Sequence, residues 1–474
     1  MEGLLSYISI IDPRLLRHIT GKPGDFIALL QEQNYISEEA FMRRVCGGEI
    51  DRKYYGGLKS RTISILQALA IISSPDSQNP VKKKYEICQK KFLVGQKFLL
   101  KGERKEGIKL IKQAYQIAVA YSFMNPASEL ASVLYHHHIY YQPNDKLADL
   151  YYQQSEQFLK DHLAEKRAEH CLYQAIRQIG KNAQPQIMKN AIEQMERLGG
   201  NSIKYQNFLS TARVLYGLNV KDYRSVIKIC RSAISFFEGK TGVNISHMQF
   251  FWSKLGIAQM ASSNFHDARQ SFEQAQFFAP AKSYNDYVLR YYQALNDLRA
   301  GNYSQAYGIY RQNRRCRFAP LRLQFAILEA YLCFLAYTGN FQFDGIFRLG
   351  KFLNDTFKAQ TEKQGDNLTV VIAELLVLLA RDRGKFIDRI EAVQHYSYRH
   401  LRGEDTRRAY WFIKILCLLP KVNFHPDALK RRAKTYLEKL EHHPVASGEN
   451  FAIEIIPFDR LLRMILRQLQ QKVA

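Results

Sequence analysis

The chain has 474 residues, 46% of them hydrophobic, which suffices for a large packed core and excludes a disordered or low-complexity protein. Its formal net charge of +24 favours acidic partners, whether protein, nucleic acid or membrane surface. The excess is uneven: residues 1–80 balance nine basic against nine acidic side chains, residues 81–120 carry eleven against three, and residues 381–474 nineteen against eleven. No run approaches the roughly 18 uninterrupted apolar residues that cross a bilayer, the nearest being 369–380 with Glu374 inside it. Glu2 stands where a secretory leader needs positive charge. Seven cysteines are scattered and never spaced as CxxC, the pattern of buried free thiols in a reducing compartment. A cytoplasmic protein without membrane insertion is the expectation.

Residues 1–80 read as a small helical N-terminal capping region. Leu15, Leu16, Phe26, Ile27, Leu29 and Leu30 supply apolar faces, and the glycines at 21–24, 47–48 and 56–57 are expected to break them. Within it, 36–71 is similar to the winged helix-turn-helix that precedes helical repeats in some bacterial regulators. That resemblance would turn Arg52, Lys53, Lys59 and Arg61 towards phosphates, whereas the balanced charge favours a cap. SSPDSQNPVKKK at 73–84 is the clearest linker.

Helical hairpins are expected from there on. In the first, Gly95, Gly107, Ile111 and Ala114 mark the crossing and Pro126 closes the unit. The next spans 127–160, with a turn at 142–145 and Asp145 as helix cap, and another spans 162–198. A further hairpin covers 205–237 around Lys221-Asp222-Tyr223. The turns at Asn264, Asn302 and Asn340 recur every 38 residues, each followed by an aromatic residue. Residues 383–386 continue the series after an interrupting turn at 360–368. The tail, 423–474, has helices near 426–441 and 456–470 that suit a terminal cap.

The most constrained stretch is 250–280, FFWSKLGIAQMASSNFHDARQSFEQAQFFAP. Trp252, Leu255 and Gly256 precede the Ser263-Asn264-Phe265 turn, and Ala268, Phe272, Ala275 and Pro280 follow it. This resembles the tetratricopeptide repeat, whose fingerprint is Trp-x2-Leu-Gly, then Ala-x3-Phe and Pro. Gly256 and Ala268 would let the two helix backbones approach, with Trp252, Leu255 and Phe272 filling the space around them. The 38-residue spacing exceeds the usual repeat of about 34 by roughly one helical turn. The resemblance covers about 85–420, and the whole chain is similar to bacterial repeat proteins with a short non-repeat N-terminal region. It implies an all-α fold: a right-handed α-solenoid of tetratricopeptide-like hairpins over 81–422.

No catalytic or metal-binding pattern stands out, so neither an enzyme nor a cofactor is expected. Gly239-Lys240-Thr241 lacks the first glycine of a phosphate-binding loop, since Ile234 stands there. His136, His137 and His138 are consecutive, so on a helix they point about 100° apart and cannot share one ion. The carboxylate pairs Asp382 with Asp388 and Glu404 with Asp405 read as solvated. The functional expectation is a scaffold that binds a partner protein or peptide, with nucleic acid as the alternative partner. The repeat geometry would place Gln89, Gln96, Ser253, Met260, Tyr291 and Arg299 on a concave surface. A second candidate is the loop at 311–322, where Arg311, Arg314, Arg315, Arg317 and Arg322 occur without one acidic residue, beside Tyr310 and Phe318. Such a cluster grips acidic side chains or a phosphate backbone.

Overall fold

The computed structural model describes residues 2–32, 37–73, 79–179, 185–359, 364–400, 406–443 and 454–471. Among these residues the chain is all-α, with 23 helices and no strand. Much of the 73–84 linker, the start of the 360–368 turn and the Glu404-Asp405 pair lie outside the described residues. Two compact units are present. The first comprises 1–166 with 200–203 and 239–244, and the second the remainder.

In the first unit, α1 (Glu2–Ile10), α2 (Pro13–Leu16), α3 (Lys22–Gln31), α4 (Glu38–Cys46) and α5 (Arg52–Ile72) come first. α1, α3 and α4 pack on α5 around Phe26, Phe41, Tyr55 and Leu66, with the Phe26 and Phe41 rings edge to face at 5.1 Å. Side chains start the helices. Ser37 accepts from Ala40 N at 3.2 Å to cap α4, and Asp51 accepts from Tyr54 N at 2.9 Å to cap α5. The expected break at Gly56 and Gly57 does not occur; both lie on the exposed side of α5, where missing side chains leave no void. With no strand in 37–73 there is no wing, and Lys59 is taken up by Glu38 at 2.7 Å.

α6 (Pro80–Leu100), α7 (Arg104–Ala120) and α8 (Met124–Tyr140) follow, then α9 (Asp145–Ile179) begins. α6 and α7 approach closely at their glycines: a Cβ on Gly107 would lie 3.1 Å from Gly95 O and 2.8 Å from Leu99 Cδ2. Pro126 does not close a unit. It lies in the first turn of α8, where its missing N–H has no intrahelical partner to lose. Asn144, not Asp145, caps α9, accepting from Leu147 N at 3.0 Å. The break expected near 160 is absent, and α9 runs unbroken for 35 residues. Its sequence holds no glycine or proline and is rich in Ala, Leu, Glu, Gln and Lys, all strong helix formers.

In the second unit, the end of α9 and α10 (Pro185–Leu198) lead to α11 (Ile203–Asn219), α12 (Tyr223–Phe237), α13 (Ile245–Ala261) and α14 (Phe265–Phe277). Next come α15 (Tyr284–Ala300), α16 (Tyr303–Asn313), α17 (Ala319–Tyr337), α18 (Leu349–Ala359) and α19 (Gln364–Arg381). The last are α20 (Arg383–His400), α21 (Arg407–Lys421), α22 (Pro426–His442) and α23 (Phe458–Gln471). From α12 to α22 each helix packs on the next, and α13, α15, α17 and α19 also touch in succession, forming one row. α21 and α22 pair as a hairpin, so residue 422 ends a helix-turn rather than the hairpin series.

One helix ending recurs. A left-handed residue (Lys221, Ser263, Gly301, Gly339 or Asn423) is followed by an N–H that returns five residues back. The bonds are Asp222 to Gly217, Asn264 to Gln259, Asn302 to Asp297, Asn340 to Leu335 and Phe424 to Leu419, all 2.8–3.0 Å. Each satisfies a carbonyl that the helix end leaves free and turns the chain back on itself. After Asn340 the next helix does not start at the aromatic residue. Residues 341–348 are irregular, because Phe341 and Phe343 both pack on Tyr307, at 5.7 and 5.2 Å.

Gly256 serves a different purpose from the expected close backbone approach. A Cβ there would lie 2.6 Å from Phe272 Cε1, so the glycine makes room for a ring. α17 is, by length and composition, apolar enough to cross a membrane, although Arg322 and Glu329 interrupt it. Phe325, Leu328, Tyr331, Leu332 and Phe334 on it are all buried in the core. A mostly buried core helix, exposed only near its ends, reads this way.

His247, on α13, packs against the Phe237 ring at 6.0 Å with Nδ1 buried and without a hydrogen bond. Burial, reinforced by Lys204, pushes its pKa down to about 4. The folded state therefore disfavours the proton, while the unfolded chain takes it up near pH 6.5. Stability from the neutral ring is fully present above that value and is lost as pH falls towards 4, by up to about 3 kcal/mol. Thermal unfolding between pH 7 and pH 4 should show this loss, and His247→Leu should make it smaller. An equal slope in the variant would assign the acid sensitivity elsewhere.

Candidate interaction surface

The residues expected on a concave surface divide into two groups. On α6, Gln89 is exposed, donating to Tyr85 Oη at 3.0 Å, and Gln96 is half-buried. Ser253 on α13 is also half-buried. Met260, Tyr291 and Arg299 are not on an open surface: they retain 1%, 6% and 5% of their exposure. Met260 lies in the hydrophobic core, and Tyr291 meets Phe325 edge to face at 5.9 Å.

Arg299 is covered by the chain's own C-terminal segment. Its Nη2 donates to Glu454 O at 2.5 Å and its Nε to Ile455 O at 3.3 Å. Burial lowers its pKa to about 10, an effect that nearby Glu454 opposes. Arg460 of the same segment donates to Arg299 O at 2.6 Å and to Tyr303 Oη at 2.9 Å. On α21, Arg408 grips the Glu454 carboxylate with two bonds, Nη2 to Oε1 at 2.8 Å and Nε to Oε2 at 3.0 Å. Arg408 also donates to Leu440 O and to His443 O. The Glu454 carboxylate in turn accepts from Phe458 N at 2.8 Å and starts α23. Phe458 then stacks on Phe412, with ring centroids 4.5 Å apart. Glu454 and Arg460 of the C-terminal segment, and their partners Arg408 and Tyr303, escaped the sequence reading. The available signal was one carboxylate in the apolar run 452–458, followed by Phe458, Leu461, Leu462, Ile465 and Leu469 at helical spacing.

The connection between α16 and α17 is shorter than the expected 311–322 loop: it carries Arg314, Arg315 and Arg317, while Arg311 ends α16 and Arg322 lies within α17. Buried Cys316 and Asn313 anchor it, the latter donating to Ile309 O at 2.7 Å. Arg311, Arg314, Arg315, Arg317 and Arg322 are all exposed. Among the described residues only Arg311 of the five comes within ion-pair distance of a carboxylate, Asp344 at 3.9 Å, and both of those groups are open to water. Arg317 lies over the Phe318 ring at 4.9 Å, and Phe318 meets Tyr284 edge to face at 5.3 Å. Beneath the loop, burial raises the pKa of Glu329, opposed by its hydrogen bond with Tyr310 and by Arg314. The arrangement offers several guanidinium forks and an aromatic ledge to one ligand.

The other strings have structural uses. Thr241 donates to Ala120 O at 2.6 Å, within the first unit. His138 is buried and stacks on Tyr151, and its Nδ1 meets Gln142 O at 3.2 Å. Among the described residues no three His, Cys, Asp or Glu side chains converge as metal ligands. No family model matches the chain, and no curated protein matches it.

Proposed function

We propose that this protein is a non-enzymatic, cytoplasmic scaffold that binds an acidic segment of a partner protein through the 311–322 loop. The carrying observation is the cluster itself: three exposed arginines on the α16–α17 connection, flanked by exposed Arg311 at the end of α16 and Arg322 in the first turns of α17, beside Phe318 and Tyr284, with one weak carboxylate contact among the described residues. Solubility alone needs no such single-sign cluster. In this reading the hairpins are tetratricopeptide-like and follow a right-handed α-solenoid. Two features support it: the helix ending shared by successive hairpins, and the seat that Gly256 gives Phe272. The α15–α21 face already holds one peptide segment, in cis, through carbonyl and carboxylate contacts.

The test is affinity capture with the wild-type chain and with the Arg314→Ala, Arg315→Ala, Arg317→Ala variant, each with and without nuclease. The expected result is a stoichiometric protein partner that survives nuclease and is lost or depleted with the variant. Loss of every partner on nuclease treatment would move the function to nucleic acid.

A further inference from the structure

Two guanidinium groups are buried beneath 454–471, and stability alone does not explain them. Replacing a buried ion pair by apolar side chains of similar size is commonly neutral or stabilising. What Arg408 and Arg299 add is discrimination, because they donate to a carboxylate and to two successive carbonyls in one register. The segment also does more than close the last hairpin. Its contacts run from Phe412 on α21 back to Arg299 and Tyr303, at the junction of α15 and α16. A cleft of about 530 Å³ stays open along it, lined by Leu440, His443, Asp459, Leu462 and Arg463 among others, so one edge of α23 is incompletely packed.

We propose that the α15–α21 face is a peptide-binding site held shut by 454–471, and that its external ligand is a partner's amphipathic helix led by a carboxylate. In the closed state Glu454 occupies Arg408, the 454–455 carbonyls occupy Arg299, and Phe458, Leu461 and Ile465 fill the apolar floor. A competing helix needs the same order: carboxylate first, then an aromatic residue, then apolar residues three and four apart. Displacement exchanges one set of contacts for a matching one, but the tethered segment has a high effective concentration, so a partner helix must bind the face more tightly than 454–471 to be seated.

The test uses the full chain with the recognition sequence of a site-specific protease in place of residues 445–451, cut after folding. The segment is then seated without a covalent tether. The probe is a fluorescein-labelled peptide of sequence 454–471. The cut chain should take up one equivalent and keep its helical circular-dichroism signal, while the uncut chain takes up none. A probe carrying Glu454→Gln should bind at least about tenfold more weakly, having lost a charged partner. In the uncut wild-type chain, α23 amides should exchange with deuterium at least about tenfold faster than those of α17 and α19, since a displaceable segment opens without global unfolding.

A cut chain that stays folded and refuses the probe overturns the proposal. So does one that loses its helical signal when the segment leaves, and so does equal protection of α23 and α17. Equal binding of the two probes overturns the carboxylate requirement. Neither readout involves the arginine loop, so the scaffold reading is tested separately.

Discussion

Replacing Arg408 by methionine is expected to destabilise the α21–α22 hairpin and its covering segment by about 3–5 kcal/mol. Methionine matches much of the side chain's volume, so the loss is electrostatic. Glu454 is fully buried and takes both oxygens' bonds from Arg408. Without that partner its charge has to be solvated by opening the segment, or neutralised by a proton. The carbonyls of Leu440 and His443 lose a donor as well. Trp411 lies against the His443 ring at 4.5 Å and is one of only two tryptophans. Its fluorescence in a Trp252→Phe background therefore reports on this hairpin during denaturant unfolding. The pair Arg408→Met with Glu454→Leu should recover more than half of the loss, since no charge is then left buried. A loss below about 1 kcal/mol for Arg408→Met, the usual ceiling for an exposed pair, would mean that Glu454 is solvated.

Gly256→Leu is expected to cost the central hairpin about 1–3 kcal/mol or somewhat more, as overpacking of a filled core does. Even the first added carbon would lie 2.6 Å from Phe272 Cε1. The ring cannot simply retreat: Phe272 is fully buried and stacks on Tyr292 of the next hairpin at 5.9 Å. Displacing it therefore disturbs the α14–α15 interface too. Trp252 fluorescence in a Trp411→Phe background follows this region. Adding Phe272→Leu to Gly256→Leu should restore part of the loss by making room. Equal stability of Gly256→Leu and the parent would show that the ring does not occupy this space.

The hairpins were legible because their signals are local. Ser263-Asn264-Phe265, and the matching turns at Lys221 and Gly301, combine a left-handed residue with a returning N–H, and both belong to a few neighbouring residues. The exposed arginines at 314, 315 and 317 were legible for the same reason, since exposure of closely spaced charged residues on a connection needs no distant information, although Arg311 and Arg322 stand on the flanking helices. Errors arose where tertiary packing overrode local pattern. Gly56 and Gly57 sit in a helix that α1, α3 and α4 hold in place. Phe341 leaves the helical register to reach Tyr307.

The buried candidates failed for one further reason. Periodicity identifies the face on which Tyr291 and Arg299 stand, but not what lies over that face. Tyr291 is met by Phe325 of the next hairpin, and the cover of Arg299 is more than 150 residues away in the chain: Arg299 to Ile455 spans 156 positions. Glu454 looked like one acidic residue in an apolar run, and only the fold brings two arginines to it.

The central claim is that the 311–322 loop binds an acidic protein segment. It is tested most directly by fluorescence anisotropy with two labelled probes, a Glu- and Asp-rich peptide and a single-stranded oligonucleotide of similar charge. Each is titrated across salt concentrations with the wild-type chain and with the Arg314→Ala, Arg315→Ala, Arg317→Ala variant. The account predicts that the peptide binds the wild type and that the variant weakens it by about tenfold at low salt, the sum of three exposed charge contacts. The loss should shrink as salt rises, because rim charges act over a Debye length. Tighter binding of the oligonucleotide, with a log–log salt slope that the variant flattens by up to about three, would contradict it in favour of nucleic acid. Identical titrations for wild type and variant would contradict it outright.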